Sequence, residues 1–444
     1  MAEIKISDHF TMKKLAQFTF LPIITIILCS LYTIVDGFFV SNFCKETAFA
    51  GMNIAAPFNL IFAAFGYMIG EGGSALIGKF LGENHTRKAK ELFSCLIVFS
   101  LILGAVLTIV GLVTFDPFLK YQGATGDLLN EARVYGTILI CAYPLCILQF
   151  VMQEFMVAAD KPELGIAFAL IAGVVNIGLD ALLICGFSMG VKGAAIGTAL
   201  GQLTGAFVPI VYVLGHKEFK LQIVGFKIKE LAGDILKTCT NGSSEMVSNI
   251  AAQVVCILYN YVLLKRFGEV GVSAYGVLQY VTMLFSCVFM GFDMGIIPVV
   301  AYHYGAENKA ELKNIRTLSN KLIMIYSLVM AVLSFALAPP ISRIFVGYNE
   351  AITDMSVFGL RVYSVAFIVI GYNFFGSALF TGLNNGGISA FLSTIRTFLL
   401  PVICLFICSN ISTNGVWYSL PFAEIIAFAI TAGTIILNRK KYGI

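Results

Sequence analysis

Asp36 and Asp180 are the residues of this chain best placed to do chemistry, because each interrupts a long apolar stretch, residues 15–40 for the first and 165–187 for the second. A carboxylate in a lipid-spanning helix costs at least ~2.5–3.5 kcal/mol, so it faces protein or a water-filled cavity and binds something there. Asn176 stands four residues before Asp180. On a helix that puts both on one face, a turn apart, which suits joint ligation. Asp36 lies 22 residues beyond Lys14 and Asp180 lies 18 beyond Pro162, or ~33 Å and ~27 Å of helix. Both therefore reach similar depth, in the outer half of the first part of the chain. Two carboxylates brought together out of water cannot easily both stay ionised, so one captures a proton or the pair takes a cation such as Na⁺. The alternative is two unrelated aspartates that snorkel to the interface or cap helices.

The helices that must position this pair follow from composition. A chain of 444 residues, 58% hydrophobic and 12% charged, cannot hide its apolar surface in a soluble core. It reads as an all-α polytopic membrane protein. About 20 apolar residues cross the ~30 Å hydrocarbon layer, and twelve such runs follow one another, the first centred near Cys29 and the last near Phe428. Ten-residue alternating segments are missing, which excludes a strand barrel. The first run has no small-residue cleavage site after it and reads as a retained helix rather than a signal peptide.

Lys and Arg set the orientation, since cytoplasmic loops retain them. With the N-terminus inside, 20 of the 29 fall on cytoplasmic segments and 8 outside, Lys45 among the latter, while Arg396 alone lies within a span. Both termini are expected in the cytoplasm, in a multi-pass protein of the cell (inner) membrane.

The chain also repeats itself. A shift of 223 residues lays Glu46 on Glu269, Gly72 on Gly295 and Gly82 on Gly305. The expected organisation is a six-helix lobe over 1–214, a basic amphipathic cytoplasmic linker over 215–237 and a second six-helix lobe over 238–444. Parallel repeats of this kind, related by a pseudo-twofold axis along the membrane normal, are a transporter architecture with the substrate cavity between the halves. The same shift lays Asp36 on Tyr259 and Asp180 on Ile403. Cation binding is therefore expected in the first lobe only.

Other intramembrane charges are less distinctive. Glu245 and Arg396 fall at similar depth in the second copy and are expected to form a buried ion pair or to line the substrate cavity. Glu71 and Asp293 occupy nearby positions in the paired second spans, and Glu154 and Glu424 lie nearer the interfaces. Thirty-eight Phe, 18 Tyr and 14 Met give the cavity material that suits flat organic cations. Eleven Cys, scattered singly, and four His without ligand spacing argue against a zinc site. The glycines at 70, 72 and 73 are not followed by the lysine that a phosphate loop needs, and no Ser/His/Asp or His/Glu group shares one depth. No enzyme and no cofactor are expected, only a coupling ion.

In these features the sequence resembles the multidrug and toxic compound extrusion (MATE) family. The resemblance rests on twelve spans in two copies, the segment Tyr32-Thr33-Ile34-Val35-Asp36, the Gly-x-Gly and Leu-Gly of residues 70–82, and Asn176-x3-Asp180. The last feature is similar to the DinF-like branch. That resemblance implies an H⁺ or Na⁺ site made by Asp36, Asn176, Asp180 and Thr198, with Tyr135 and Gln153 close by. Glu245 resembles a seventh-span glutamate of the NorM-like branch, whose tenth-span acid is replaced here by Gly371-Tyr372-Asn373. The resemblance implies an antiporter that exports organic, cationic or amphipathic compounds by rocking alternating access. Its partners would be a small organic solute and the lipid bilayer, with no nucleic acid and a monomeric chain. A flippase for lipid-linked oligosaccharides, from the same superfamily, would share the two-lobe shape but carry several intramembrane arginines and often extra spans.

Overall fold

The computed structural model describes residues 4–44, 46–347 and 349–444. Lys45, counted above among the outward charges, lies outside the described residues, as do the side chains of Thr33 and Glu46. Described residues form helices almost throughout. The first lobe contains α1 (Met12–Phe43), α2 (Glu46–Gly82), α3 (Thr86–Tyr121), α4 (Gly126–Cys141), α5 (Tyr143–Ala158), α6 (Pro162–Asp180) and α7 (Val191–Gly215). Helices α4 and α5 make one span bent by 55°. Pro144 at the start of α5 forces that bend, since its ring cannot continue the hydrogen-bond ladder, and Gly104 of α3 leaves room for its backbone.

The second lobe contains α9 (Ser243–Gly305), α10 (Lys309–Val346), α11 (Glu350–Gly382), α12 (Gly386–Thr394), α13 (Leu400–Ile411) and α14 (Gly415–Tyr442). Helix α9 is two spans joined at Gly268, whose φ of +62° only glycine adopts without strain. The twelve spans arrive in the expected order. Between the lobes α8 (Ile228–Asn241) buries Leu231 and Thr238 and runs across the expected boundary at 237/238.

A wide π turn interrupts the fifth span of each lobe, Ala181–Gly186 after α6 and Ile395–Leu399 between α12 and α13. Repeat symmetry is also written into the turns. Asn84 after α2 and Glu307 after α9 both take positive φ, +61° and +54°, and are 223 residues apart.

The first and last described segments lie at one end of the bundle, where His9 meets Glu311 and Gly443 packs on Lys309. At that end the lobes interlock through backbone. A Cβ on Gly82 would strike Tyr302 O, and one on Gly305 would strike Lys79 O. Contacts continue through Gly78 against Pro298 and Gly291 against Ile23, to Ser30 Oγ and Cys287 Sγ at 3.0 Å. Farther from the termini the cores separate. One apolar core holds the first lobe together with the terminal end of the second, and another belongs to the second lobe alone, around Tyr259, Tyr275, Phe367 and Trp417.

Candidate functional site

Asp36 of α1, Asn176 and Asp180 of α6 and Thr198 of α7 converge inside the first lobe, with Asp36 4% and Asp180 0% exposed. Asn176 Nδ2 donates to Thr198 Oγ1 at 3.5 Å, and Thr198 Oγ1 donates to Asp36 Oδ2 at 3.5 Å. The carboxyls of Asp36 and Asp180 are near enough to share one proton in a hydrogen bond. Beyond that shared position, Asp36 Oδ1, Asn176 Oδ1 and both Asp180 oxygens receive no hydrogen bond from the described residues. Ionised carboxylates only accept, so this is a concentration of buried acceptors that calls for a proton or a cation. The π turn begins directly after Asp180, a position where such turns recur at functional sites.

A glycine ladder, which charge patterning does not reveal, makes room for the acids. Gly193, Gly197, Gly201 and Gly205 follow one another at every fourth residue of α7 and so share a face. A Cβ on Gly197 would collide with Asp180 Oδ1, one on Gly201 would press on Asn176, and one on Gly205 on Gln149. The signal was legible as a small-xxx-small pattern, which lets membrane helices approach closely.

Tyr135 is 5% exposed and interacts electrostatically with both aspartates. Gln153 does not join them. Its Nε2 donates to Cys29 Sγ at 3.6 Å, and Cys29 precedes Asp36 by seven residues, ~10 Å of helix. Beside it Gln149 Nε2 donates to Tyr32 OH at 3.4 Å. These two glutamines tie α5 to α1 below the acids.

In the second lobe the expected pair of Glu245 and Arg396 does not form. Arg396 Nε instead donates to both carboxylate oxygens of Glu424 at 3.1 Å, and Asn373 Nδ2 donates to Glu424 Oε2 at 2.7 Å. The guanidinium also stacks over Phe374 at 3.8 Å from the ring centroid. The wide turn Ile395–Leu399 carries Arg396 beside α14, and Glu245 keeps only an electrostatic interaction with it. Glu424 and Glu154, expected near the interfaces, are both buried. Glu154 packs its methylenes on Gly70 and interacts electrostatically with Glu71, Glu245 and Asp293. Tyr259, the counterpart of Asp36, is buried with its hydroxyl 2.7 Å from Ser419 Oγ. Among the described residues no group of three or more His, Cys, Asp or Glu is set to hold a metal.

Known proteins bear on this arrangement in three ways. The chain is 26% identical to the multidrug export protein MepA of Staphylococcus saprophyticus over 97% of its length and 94% of that protein. MepA of Staphylococcus aureus strain MRSA252 is likewise 26% identical, over 93% of this chain and 90% of that one. Among solved structures, a multidrug-resistance MATE transporter in an outward-facing conformation superposes with a TM-score of 0.89 at 22% identity, covering 97% of this chain and 98% of that one. A transporter of the MOP superfamily from Pyrococcus furiosus, described as having a binding pocket of reversed polarity, gives 0.90 at 22% identity, over 98% and 97%. The MatE family model matches residues 22–182 and 246–407, one block in each lobe, and the chain belongs to that family.

Proposed function

We propose that this protein is a secondary active exporter of organic, cationic or amphipathic compounds, driven by H⁺ or Na⁺ entering at Asp36 and Asp180. The observation that carries the reading is the buried carboxyl pair, which no donor of the described residues satisfies beyond a single Thr198 hydrogen bond. Such a site changes its free energy by taking a cation, and that is what coupling requires. Thr198 and Asn176 complete an all-oxygen set, with the Asn176 amide turned by its hydrogen bond to Thr198 so that its oxygen is left for the ion. Family membership and the names of the staphylococcal relatives support multidrug export as the activity.

Lobes that meet at the terminal end and have separate cores at the other suit rocking alternating access. With the lysine-rich terminal end in the cytoplasm, this is the arrangement closed to the inside. The flippase alternative has little support, because the one intramembrane arginine is already neutralised by Glu424.

Proteoliposomes loaded with a fluorescent organic cation and given either a Na⁺ or a pH gradient test the proposal. Transport under one gradient that is lost when Asp36 or Asp180 is neutralised is the expected result. Transport of equal rate in both neutral variants overturns it.

A further inference from the structure

We propose that residues 4–11 and α8 are reciprocal latches, each tying the segment that leads into one lobe to the third span of the other, and that together they hold the cytoplasmic end closed. The first latch crosses from lobe to lobe. Ile6 N donates to Asp160 Oδ1 at 2.6 Å, in the turn before α6 of the first lobe. Phe10 N donates to Glu311 Oε1 at 2.9 Å, on α10 of the second. Asn314 Nδ2 donates to Phe10 O at 2.8 Å, and His9 Nδ1 lies 2.6 Å from Glu311 Oε2. Lys220, which donates to Asp160 Oδ2 at 2.6 Å, also sits over the Tyr302 ring of the second lobe. Ile6 and Phe10 are 0% and 1% exposed, so the segment is packed into both lobes and not laid across their surface.

Repeat symmetry supplies the second latch. The 223-residue shift lays Lys88 on Glu311 and Thr11 on Asp234. Lys88 and Glu311 are each the third residue of their helices, α3 and α10. Asp234 of α8, on the way into the second lobe, meets Lys88 of the first at 3.1 Å. Each copy thus sends its leading segment to the same turn of the other, with the acid on the span in one case and on the leading segment in the other. The two are unequal. Lys88 is 43% exposed, and a half-exposed ion pair contributes little. Glu311 and Asp160 are buried and take main-chain donors, which are stronger when the acceptor is charged. Rocking the lobes apart at this end separates Asp160 from Glu311, so residues 6–10 must leave one anchor before it opens. The inference rests on the rocking proposed above and not on the ion or the cargo.

The test uses the full-length protein in nanodiscs, with spin labels on unnatural residues at Arg87 and Lys313, exposed positions at the same end of the two lobes. The distance between them reports the closed and open fractions, and hydrogen–deuterium exchange of residues 4–11 reports the first latch. Glu311→Gln and Asp160→Asn, which keep shape and remove charge, should each raise the ratio of open to closed about ten-fold. Asp234→Lys should raise it about two-fold, and adding Lys88→Glu should restore the wild-type ratio. Unchanged distances in variants whose residues 4–11 exchange freely overturn the proposal. Gly305→Ala carries the test if those variants fail to fold, because it leaves both latches intact and wedges the seam against Lys79 O. By reciprocity it should speed exchange of residues 4–11 at least ten-fold, about the release of one anchor, and protection retained while the labels move apart overturns the proposal as well. Neither readout uses export, so a failure here leaves the reading of Asp36 and Asp180 standing.

Discussion

At one position of the repeat the first lobe carries Asp36 and the second Tyr259, and the polar groups around these two positions are treated in opposite ways. Tyr259 is satisfied by Ser419, and Arg396, Glu424 and Asn373 neutralise one another through hydrogen bonds of 2.7–3.1 Å. The first lobe instead gathers two carboxyls with one hydroxyl donor between them. A polar cluster whose charges are already paired gains little from a proton or an ion. One left short of donors responds to whatever cation the medium supplies. At this depth the duplicated fold thus leaves the first lobe short of donors and supplies them in the second.

The sharpest way to break this contrast is to neutralise the responsive side. Asp36→Asn and Asp180→Asn should each reduce gradient-driven export to background in inserted, folded protein, measured as dye efflux from proteoliposomes. Retained export in either variant would make the pair structural. Next in size is Glu424→Ala, which strands the Arg396 guanidinium among apolar neighbours. It should lower stability by about 3–5 kcal/mol, read from thermal unfolding in detergent, while the double change Arg396→Met/Glu424→Leu recovers much of the loss. No recovery, with export of selected compounds lost, would assign Arg396 to substrate instead.

A smaller effect is expected from Asn176→Ala, which removes one neutral oxygen and keeps both acids. Ion affinity should weaken several-fold with transport still measurable, and a full loss would promote the amide to an essential ligand. If Na⁺ is the ion, its affinity in both wild type and this variant should improve as pH rises, since protons compete for the same oxygens. Smallest of all is Tyr259→Phe. Removing that hydroxyl leaves Ser419 its bond to Val416 O, so stability should change by about 1 kcal/mol and export not at all. Loss of export there would erase the distinction between the lobes.

Much of this is legible in the sequence, for a physical reason. Charges inside apolar runs are rare enough that Asp36 and Asp180 stand out, and depth along a helix follows from residue count, so their meeting could be argued from Lys14 and Pro162. Azimuth was not legible. Arg396 and Glu245 were matched by depth, but the π turn at Ile395–Leu399 adds a residue to the winding and aims Arg396 toward α14. Gln153 was carried over by resemblance, and it sits about two turns from the acids against Cys29. The ladder from Gly193 to Gly205 carries no charge and contributes only space, so buried acids do not point to it in the sequence.

The clasp between Gly82 and Gly305 has its own consequence. Each glycine rests on main chain of the opposite copy, on Tyr302 O and Lys79 O, so at these two points the lobes meet backbone to backbone. Side chains elsewhere in the two copies can diverge without loosening it. A single methyl group at either glycine would act as a doorstop, holding the terminal end ajar without touching any ion or cargo.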